Sequence, residues 1–377
     1  MSYFRNGMGK IRIDVSVSND LLCDNRVDKT CRSLSEYGLE VRLTGKRTKD
    51  SPDLNPRPYK YERIKVFFGK NALYYAELNT RLFFKLLFSR QDILWANDLD
   101  TLLANFLVSR IKRKPLIFDS HEHFTQVPEL KNNPFAQKVW TKIEKFCVSG
   151  LKYVVTVCNP IKKYFKDRYG VEAVVVRNMP LKRKRQDAFT PAEEKENVVV
   201  WQGAVNVERG LEELCEAFKW INAKLYIIGQ GDIRDELERH VEKEGLGERI
   251  RFFGRLPFEE MMSLAEKAKL GVSIDKDTNM NYAVSLPNKI FEYIHCSVPI
   301  LASPLREIKP IIEKYETGEF IRSYDSKDLS MQINGLISDN EKLNRYAENC
   351  RSASEDLTWQ KEEKKIFGLI DRVLQEK

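Results

Sequence analysis

The feature that most constrains this chain is a repeated alternation of short apolar segments with longer amphipathic ones. Residues 10–17 alternate like a strand, 26–37 predict a helix that stops at Gly38, and 39–43 predict a second strand. A strand–helix–strand unit of this length favours a parallel sheet with right-handed crossovers. No GxGxxG motif follows the first strand, which argues against a dinucleotide cofactor at this end.

The alternation restarts after a polar stretch, with predicted strands at 198–201, 224–228 and 270–274. A chain of 377 residues is too long for one ordinary core. We therefore predict two Rossmann-like, doubly wound parallel-sheet domains of the α/β class that face each other across a basic cleft. Residues 1–180 form the N-terminal domain, 181–196 a linker and 197–356 the C-terminal domain. Residues 357–377 form a helix that packs back on the N-terminal domain.

Composition excludes several classes of protein. A hydrophobic content of 42% with 31% charged residues describes a globular chain and not a disordered one. The net charge of +8 favours anionic partners. The seven cysteines include no CxxC pair, which indicates a reducing compartment. With no apolar run of membrane-spanning length and no signal-peptide core at the N-terminus, we expect a cytoplasmic protein.

The segment 285–303 contains a helix start with anion-binding character. Pro287 suits the first helical position, and Asn288 and Glu292 project from one helical face. Ser285 and Lys289 lie close to the same start. The free N–H groups and positive dipole end of such a helix can hold an anion. The alternative is an ordinary amphipathic helix whose apolar face packs on a sheet.

Two glycine-containing loops follow predicted strands in the second half. Gly203 and Gly210 allow the backbone to approach a ligand closely, and Arg209 between them can grip a phosphate in fork geometry. Gly229 belongs to a lone GxG, which is weak support by itself.

In the first half, polar residues end two predicted strands. Asp98 and Asp100 could hold Mg²⁺ or Mn²⁺, but the preferred interpretation makes Asp100 the N-cap of a helix starting near Thr101. His121 lies at the carboxyl end of the strand 115–118, where open α/β sheets bind ligands. His121 and His123 lack zincin spacing, so no metal site is predicted.

Two basic segments leave alternatives open. Residues 81–90 are apolar almost all round with three cations, which favours a buried helix, yet the composition also suits peripheral contact with the inner face of an anionic membrane. The run 182–185 could contact nucleic acid or lipid, but a solvated linker is preferred. Because no aromatic residues interleave with this run, no nucleic-acid partner is predicted.

Taken together, these motifs resemble those of the retaining, nucleotide-sugar-dependent glycosyltransferases of family 4, which have the two-domain GT-B architecture. The loop 203–210 is similar to the family's G-R-x-x-P-E-K-G loop, and 285–292 with 298–300 resembles its carboxylate-bearing donor segment. In the first half, residues 19–29, 97–100 and 119–122 also resemble members of this family. The resemblance covers nearly the whole chain.

The resemblance implies a role for each matching residue. Glu292 would bond the donor ribose hydroxyls, and Arg209 would neutralise the diphosphate. Lys289 would face the distal phosphate, Leu256 would line the base, and His121 would lie near the acceptor and the transferred sugar. The implied catalytic residues are His121, Arg209 and Lys289. The implied donor-binding residues are Gly203, Asn206, Gly210, Gly229, Leu256, Ser285, Leu286, Asn288 and Glu292. The implied acceptor-side residues are Asn19, Asp20, Arg26, Asp98 and Glu122.

Two positions depart from the family pattern. Ala204 replaces the loop's arginine, and Val284 stands where an acid is usual, so the candidates to contact the sugar hydroxyls are Asp275, Asp277, Asn281 or backbone amides. The implied reaction passes a hexose from a nucleoside diphosphate sugar to a saccharide or lipid-linked acceptor, with retention and no metal, in surface polysaccharide or glycolipid synthesis. The alternatives are a nucleotide-sugar epimerase of similar architecture and a non-catalytic nucleotide-sugar binder.

Overall fold

The computed structural model describes residues 10–22, 24–48, 51, 53–69, 71–127, 130, 133–183, 190–278 and 280–376, apart from the side chains at 71 and 280. The chain forms two compact units. The first contains Met1–Asn178 and Trp359–Lys377, and the second contains Met179–Thr358. The predicted linker 181–196 and the basic run 182–185 extend into residues 184–189, which lie outside the described residues.

The described part of the first unit is built on a seven-stranded parallel sheet. Its strands are β1 (Arg12–Ser16), β2 (Glu40–Arg47), β3 (Lys60–Lys65), β4 (Ile93–Asn97), β5 (Leu116–Ser120), β6 (Tyr153–Thr156) and β7 (Ala173–Val175). Their order is β3-β2-β1-β4-β5-β6-β7. Every residue of β4, β5 and β6 is buried, as expected of parallel strands covered on both faces.

Helices cover this sheet between successive strands. They are α1 (Asn25–Glu36), α2 (Asn71–Phe88), α3 (Leu99–Lys112), α4 (Pro134–Val148) and α5 (Asn159–Tyr169), with a 3₁₀ turn at Phe124–Gln126. Helix α1 begins where the Asp24 side chain accepts a hydrogen bond from the Val27 N–H. Helix α5 ends at Gly170, whose φ of 68° is one that glycine adopts without strain.

The C-terminal helix (Trp359–Gln375) belongs to the first unit and packs against α1. The Trp359 indole is 1% exposed, and its Nε1–H donates to Ser33 Oγ at 2.7 Å. The Tyr37 ring stacks on Phe367 with centroids 4.3 Å apart. These contacts tie the start of this unit to a helix more than 300 residues later in the chain.

The second unit repeats the architecture on a six-stranded parallel sheet, counted over its described residues. Its strands are β8 (Glu196–Gln202), β9 (Lys224–Ile228), β10 (Ile250–Gly254), β11 (Ala268–Ser273), β12 (Ile300–Ala302) and β13 (Gly318–Phe320), in the order β10-β9-β8-β11-β12-β13. Its helices are α6 (Leu211–Ala217), α7 (Arg234–Lys243), α8 (Phe258–Glu266), α9 (Met280–Ala283), α10 (Asn288–His295), α11 (Lys309–Tyr315), α12 (Ser326–Ser338) and α13 (Asn340–Asp356).

In both units the strand order reverses at one point, between β1 and β4 in the first and between β8 and β11 in the second. Loops that leave the carboxyl ends of such neighbouring strands diverge to opposite faces, which opens a crevice for a ligand. The predicted fold class of parallel, doubly wound sheets is confirmed for each unit.

Several element boundaries differ from the sequence prediction, and three of the differences concern segments with a predicted role. Helix α3 begins at Leu99 with Asp98 at the N-cap, so the prediction that Asp100 is the cap was wrong. Helix α10 begins at Asn288, which leaves Pro287 at the N-cap instead of inside the first turn. Helix α2 ends at Phe88 and buries only part of its surface. Of the described helices, none combines the length and apolarity that crossing a bilayer requires.

Candidate functional site

A charged cluster lies at the carboxyl edge of the first unit's sheet, on β5 and the loops that follow β4 and β5. The His121 imidazole lies between two carboxylates, with Nδ1 3.2 Å from Asp98 Oδ2 and Nε2 3.4 Å from Asp119 Oδ2. The backbone N–H of His121 donates to Asp98 Oδ1 at 2.8 Å. Two contacts from Asp98 therefore fix the position of His121.

Arg26 joins this cluster from α1. Its guanidinium donates to Asp119 Oδ1 at 2.8 Å and to the Val176 carbonyl at 2.8 Å. Arg26 is 5% exposed and Asp119 1% exposed, so this is a buried ion pair. Removing either partner of such a pair leaves an uncompensated buried charge. The structure thus brings three predicted site residues together, Arg26, Asp98 and His121, around Asp119, which carried no predicted role.

The cluster fixes the charge state of the imidazole. Burial alone would lower the His121 pKa, but the carboxylates of Asp98 and Asp119 outweigh it and raise the pKa well above its usual value. Burial likewise opposes ionisation of Asp119, yet the charges of Arg26 and His121 hold its pKa well below the usual range. The two carboxylates therefore favour the imidazolium form of His121. An imidazolium can donate hydrogen bonds but cannot accept a proton.

Asp98 holds His121 from a strained backbone position. Its φ of 56° is unusual for a residue with a side chain. Its neighbour Asp100 is buried, and burial followed by the charge of Asp98 raises the pKa of Asp100 to about 7. Backbone strain of this kind is common at functional sites, and Asp98 makes one contact to the backbone of His121 and one to its ring.

The other predicted acceptor-side residues make local bonds. The Asn19 side chain donates to Asp24 Oδ2 at 2.8 Å and accepts from the Leu21 N–H at 3.0 Å. Asp20 Oδ1 accepts from the Leu22 N–H at 3.1 Å. The Glu122 carbonyl accepts from Ser120 Oγ at 2.9 Å, while its side chain is exposed. Asn19 and Asp20 thus shape the loop after β1.

In the second unit, two predicted cations converge on one buried carboxylate. Arg209, in the loop after β8, places a guanidinium nitrogen 3.2 Å from Asp275 Oδ2. Lys289, in the first turn of α10, places Nζ 3.5 Å from Asp275 Oδ1. Asp275 follows β11 and is fully buried, which puts all three at the point where the strand order reverses. Asp275, one of the candidates for contacting the sugar hydroxyls, is thus buried between two cations, and its contact with a sugar stays a prediction.

Aromatic rings complete the surroundings of both cations. The Arg209 guanidinium lies over the Tyr282 ring at 4.3 Å from its centroid, and Lys289 Nζ lies over the Trp201 ring at 4.2 Å. Burial is the main cause that lowers the pKa of Lys289 to about 8, and the charge of Asp275 opposes the change. Lys289 is thus a desolvated cation that an additional anion would stabilise in its protonated form.

Glu292 lies one turn after Lys289 on α10, and its carboxylate accepts a hydrogen bond from the Gln202 amide at the end of β8. The Ser285 hydroxyl oxygen is buried and makes no hydrogen bond to any described residue. Such a group is satisfied when a ligand or water supplies the partner. Leu286 and Leu256 both pack against the core of this unit.

Glycines permit the close loop packing around the two cations. A Cβ on Gly229 would lie 1.7 Å from the Gly203 carbonyl oxygen, and one on Gly210 would lie 2.5 Å from the Ile274 carbonyl oxygen. Gly210 also has a φ of 70°. Asn206 fixes the same loops, because its Oδ1 accepts from the Asp232 N–H at 3.1 Å. These residues support the site through backbone shape.

Sequence reasoning gave Asp119 no role and considered Asp275 only as a sugar contact. Asp119 lies near the end of an apolar strand, and Asp275 lies just after one. This position is the one sequence signal that could have identified them as site residues. Val284, which replaces the family's usual acid, is 7% exposed and buried. Within the described ranges, no group of three or more His, Cys, Asp or Glu side chains is arranged so that it could hold a metal ion.

Comparison with known proteins supplies the family. Residues 24–179 match the model of Glycosyltransferase Family 4, and residues 182–353 match that of Glycosyl transferases group 1. The chain belongs to the GT-B glycosyltransferases. The predicted glycosyltransferase family and GT-B architecture are confirmed, while retention stays a prediction, and the two matched segments correspond to the two units of the chain.

Two curated relatives of this GT-B glycosyltransferase are distant. The chain is 23% identical over 58% of its length to an uncharacterized glycosyltransferase of Methanocaldococcus jannaschii, and the match spans 58% of that relative. It is also 23% identical to an α-1,4-N-acetyl-D-galactosaminyltransferase of Campylobacter jejuni, over 71% of each chain. The name of that enzyme specifies a glycan on PP-undecaprenol.

Solved structures share the fold over nearly the whole GT-B chain. Anabaena HepE in complex with UDP-glucose is 14% identical with a TM-score of 0.73, and the match covers 96% of this chain and all of that one. A putative UDP-N-acetylglucosamine 2-epimerase from Listeria monocytogenes is 14% identical with a TM-score of 0.66, covering 98% of each chain. The second match shows that the fold by itself does not separate transferases from epimerases.

The charge on Asp98 generates a prediction about His121. Asp98→Asn removes the charge that pairs with Nδ1 and keeps an oxygen for the backbone N–H, so we expect the pKa of His121 to fall. Long-range ¹H–¹⁵N NMR of the histidine rings across a pH series measures this change, with the His240 resonances as an internal control. A His121 titration that is the same in wild type and Asp98→Asn would contradict the proposed electrostatic coupling.

Proposed function

We propose that this protein transfers a hexose from a nucleoside diphosphate sugar to an acceptor hydroxyl with retention of anomeric configuration. The convergence of Arg209 and Lys289 on buried Asp275 carries the proposal. In this proposal the two cations, held 3.2 and 3.5 Å from one carboxylate, form a preorganised site for the two negative phosphates of such a donor.

The neighbouring groups supply the rest of a donor site. In this proposal Glu292 accepts hydrogen bonds from the ribose hydroxyls, as its position on the same face of α10 as Asn288 permits. The buried Ser285 hydroxyl and the Asn288 amide donate to the distal phosphate at the start of that helix. Leu256 and Leu286 provide apolar surface for the base.

Leaving-group stabilisation is the proposed source of catalysis. As the bond between sugar and diphosphate breaks, negative charge grows on the phosphate oxygen, and Arg209 and Lys289 stabilise it. The departing diphosphate accepts the proton of the attacking hydroxyl, which gives retention without a carboxylate nucleophile. Because both ring nitrogens of His121 face carboxylates that favour the imidazolium form, its proposed role near the sugar and acceptor is to supply positive charge and not to act as a base.

For the acceptor we propose a saccharide or lipid-linked saccharide used in surface polysaccharide or glycolipid synthesis. The Campylobacter jejuni relative, whose name specifies a glycan on PP-undecaprenol, supports this choice. Product analysis with the donor alone separates transfer from epimerisation, since an epimerase converts its nucleotide sugar without an acceptor. Binding without any turnover would instead identify a nucleotide-sugar sensor.

We further propose that the reaction needs no metal ion, because two side-chain cations neutralise the diphosphate where Mg²⁺ would otherwise be used. The expected outcome is full transferase activity after EDTA treatment and desalting. Activity that EDTA abolishes and Mg²⁺ or Mn²⁺ restores would favour the alternative in which Asp98 and Asp100 bind a nucleotide metal.

Removing either cation should slow turnover strongly. Arg209→Ala and Lys289→Ala each delete a donor to the leaving group, and we expect kcat to fall by about 10²–10³, or about 3–4 kcal/mol of barrier. Lys267→Ala removes an exposed cation of the same unit and serves as the matched control. Asp100→Ala should mainly lower the free energy of unfolding. Full activity in both site variants would refute the assignment of the phosphate site.

The lowered pKa of Lys289 predicts a pH-dependent affinity for uridine diphosphate. Lys289 is charged below its pKa of about 8 and loses that charge above it, while a bound diphosphate favours the protonated form. Affinity should therefore fall by about tenfold per pH unit above this pKa. Calorimetry across a pH series measures this affinity for uridine diphosphate.

Lys267→Ala should retain the wild-type pH profile, and Lys289→Ala should lose the pH dependence. Arg209→Ala should move the fall in affinity to higher pH, because the charge of Arg209 contributes to the lowered pKa of Lys289. A wild-type affinity that does not change through this range would contradict Lys289 as the titrating contact.

A further inference from the structure

One surface of the first unit exposes large apolar side chains from three helices. These side chains and their exposed fractions are Phe84 (52%), Phe88 (81%), Leu107 (37%), Ile111 (60%) and Phe146 (61%). Single exposed apolar residues are ordinary, but an apolar group spread over adjacent helices marks a contact site. The neighbouring Leu82 and Leu86 are each 1% exposed, so α2 divides its apolar residues between the core and this surface.

The fold places these residues at one end of a helix layer. Helix α2 packs against α3, and α3 packs against α4. Each helix returns the chain between parallel strands, so all three run in the same direction and their last turns lie together. The Phe106 and Phe146 rings meet with centroids 5.3 Å apart, which joins α3 to α4 at this end.

Exposed cations predominate in and beyond the last turns of these helices, while the carboxylates of Glu62 and Asp92 at this end pair with Lys85 and Lys114. The exposed cations are Arg90, Arg110, Arg113, Lys142 and Lys145. The acids of these helices lie elsewhere: Glu77 is in the first half of α2 and pairs with Arg81, Asp100 is buried in the first turn of α3, and Glu144 is buried beneath α4. We call these five cations and the five exposed apolar residues the basic-apolar surface.

Helix stability explains only part of this composition. Cations in a last helical turn interact favourably with the negative end of the helix dipole. That interaction gives no reason for Phe88, Ile111 and Phe146 to be more than half exposed. A ligand with both negative charge and an apolar interior accounts for both kinds of residue.

We propose that the basic-apolar surface docks on an anionic lipid bilayer, with its apolar side chains at the boundary between headgroups and acyl chains and its cations against the lipid phosphates. Single-stranded nucleic acid suits the surface less, because Leu107 and Ile111 have no aromatic face on which a base can stack. The proposal takes up the membrane alternative that the sequence left open for residues 81–90 and extends it to α3 and α4. It does not depend on the proposed sugar transfer.

A charge variant of the full-length protein tests the electrostatic part. Arg90→Gln, Lys142→Gln and Lys145→Gln together remove three cations from the surface. The matched control replaces three exposed cations of the second unit, with Lys224→Gln, Lys243→Gln and Lys267→Gln, and so has the same net charge. Flotation uses vesicles of phosphatidylglycerol and phosphatidylcholine in equal parts, beside vesicles of phosphatidylcholine alone.

Wild type and control should float with the anionic vesicles, and the surface variant should partition about 100-fold less, since each cation contributes about fivefold. Wild-type protein that does not float with anionic vesicles would overturn the proposal. Equal losses in the surface variant and its control would overturn it as well, because they would show a response to net charge alone. Nucleic acid would be identified as the occupant if the wild type does not float but binds a single-stranded DNA oligonucleotide, and if the surface variant loses that binding while the control variant keeps it.

A second pair of variants tests insertion. Phe88→Ser removes an apolar side chain that is 81% exposed, and Met331→Ser removes one that is 64% exposed in the second unit. Phe88→Ser should weaken flotation severalfold and Met331→Ser should not. Equal flotation of the two variants would refute insertion of this surface.

A thermal shift with uridine diphosphate separates this proposal from that of the donor site. The vesicle-binding variants should keep the wild-type shift, because none of their substitutions lies in the second unit's cation cluster. A variant that loses both vesicle binding and its melting transition has failed to fold, and Arg90→Gln alone then replaces it. If the wild type floats with the vesicles but shows no thermal shift with uridine diphosphate, the result would contradict the proposed donor site and not the proposed membrane contact.

Discussion

A buried carboxylate that bridges two cationic side chains is the interaction on which both halves of this molecule depend. In the first unit Asp119 contacts Arg26 and His121, and in the second unit Asp275 contacts Arg209 and Lys289. Both carboxylates are essentially inaccessible to water. Each lies at the carboxyl edge of a parallel sheet, where a doubly wound fold exposes its ligand site.

Burying charge in this way is costly, and the arrangement contributes little net stability by itself. Its benefit is geometric. A cation held by a buried partner cannot turn away into solvent, so little reorganisation is needed when a ligand's charge arrives. The strained Asp98 and the close contact of Gly229 with Gly203 have a similar effect on the backbone. The fold stability of each unit's apolar core offsets these local costs.

The sequence predicts the strands and helices well where periodicity is strong, because buried parallel strands and amphipathic helices leave clear patterns. It misses β3, since the residues of Lys60–Lys65 alternate charge with partial burial at the sheet edge. It also misplaces the cap of α3, because Asp98 and Asp100 are equally good capping residues and only the backbone path selects one. The pairing of Asp275 with Arg209 and Lys289 joins three separate segments, which no local pattern can show. The motif residues themselves were identified by family resemblance and not by periodicity.

The last helix has a consequence for how the chain acquires its structure during synthesis. Trp359 and its neighbours complete the core of a unit whose first strand is made more than 300 residues earlier. The intervening unit, Met179–Thr358, is contiguous in sequence and can close its own core as soon as it leaves the ribosome. The half that begins first is therefore finished last. Until then the face of α1 that receives Trp359 is an open apolar surface, which a nascent chain must keep from other partners.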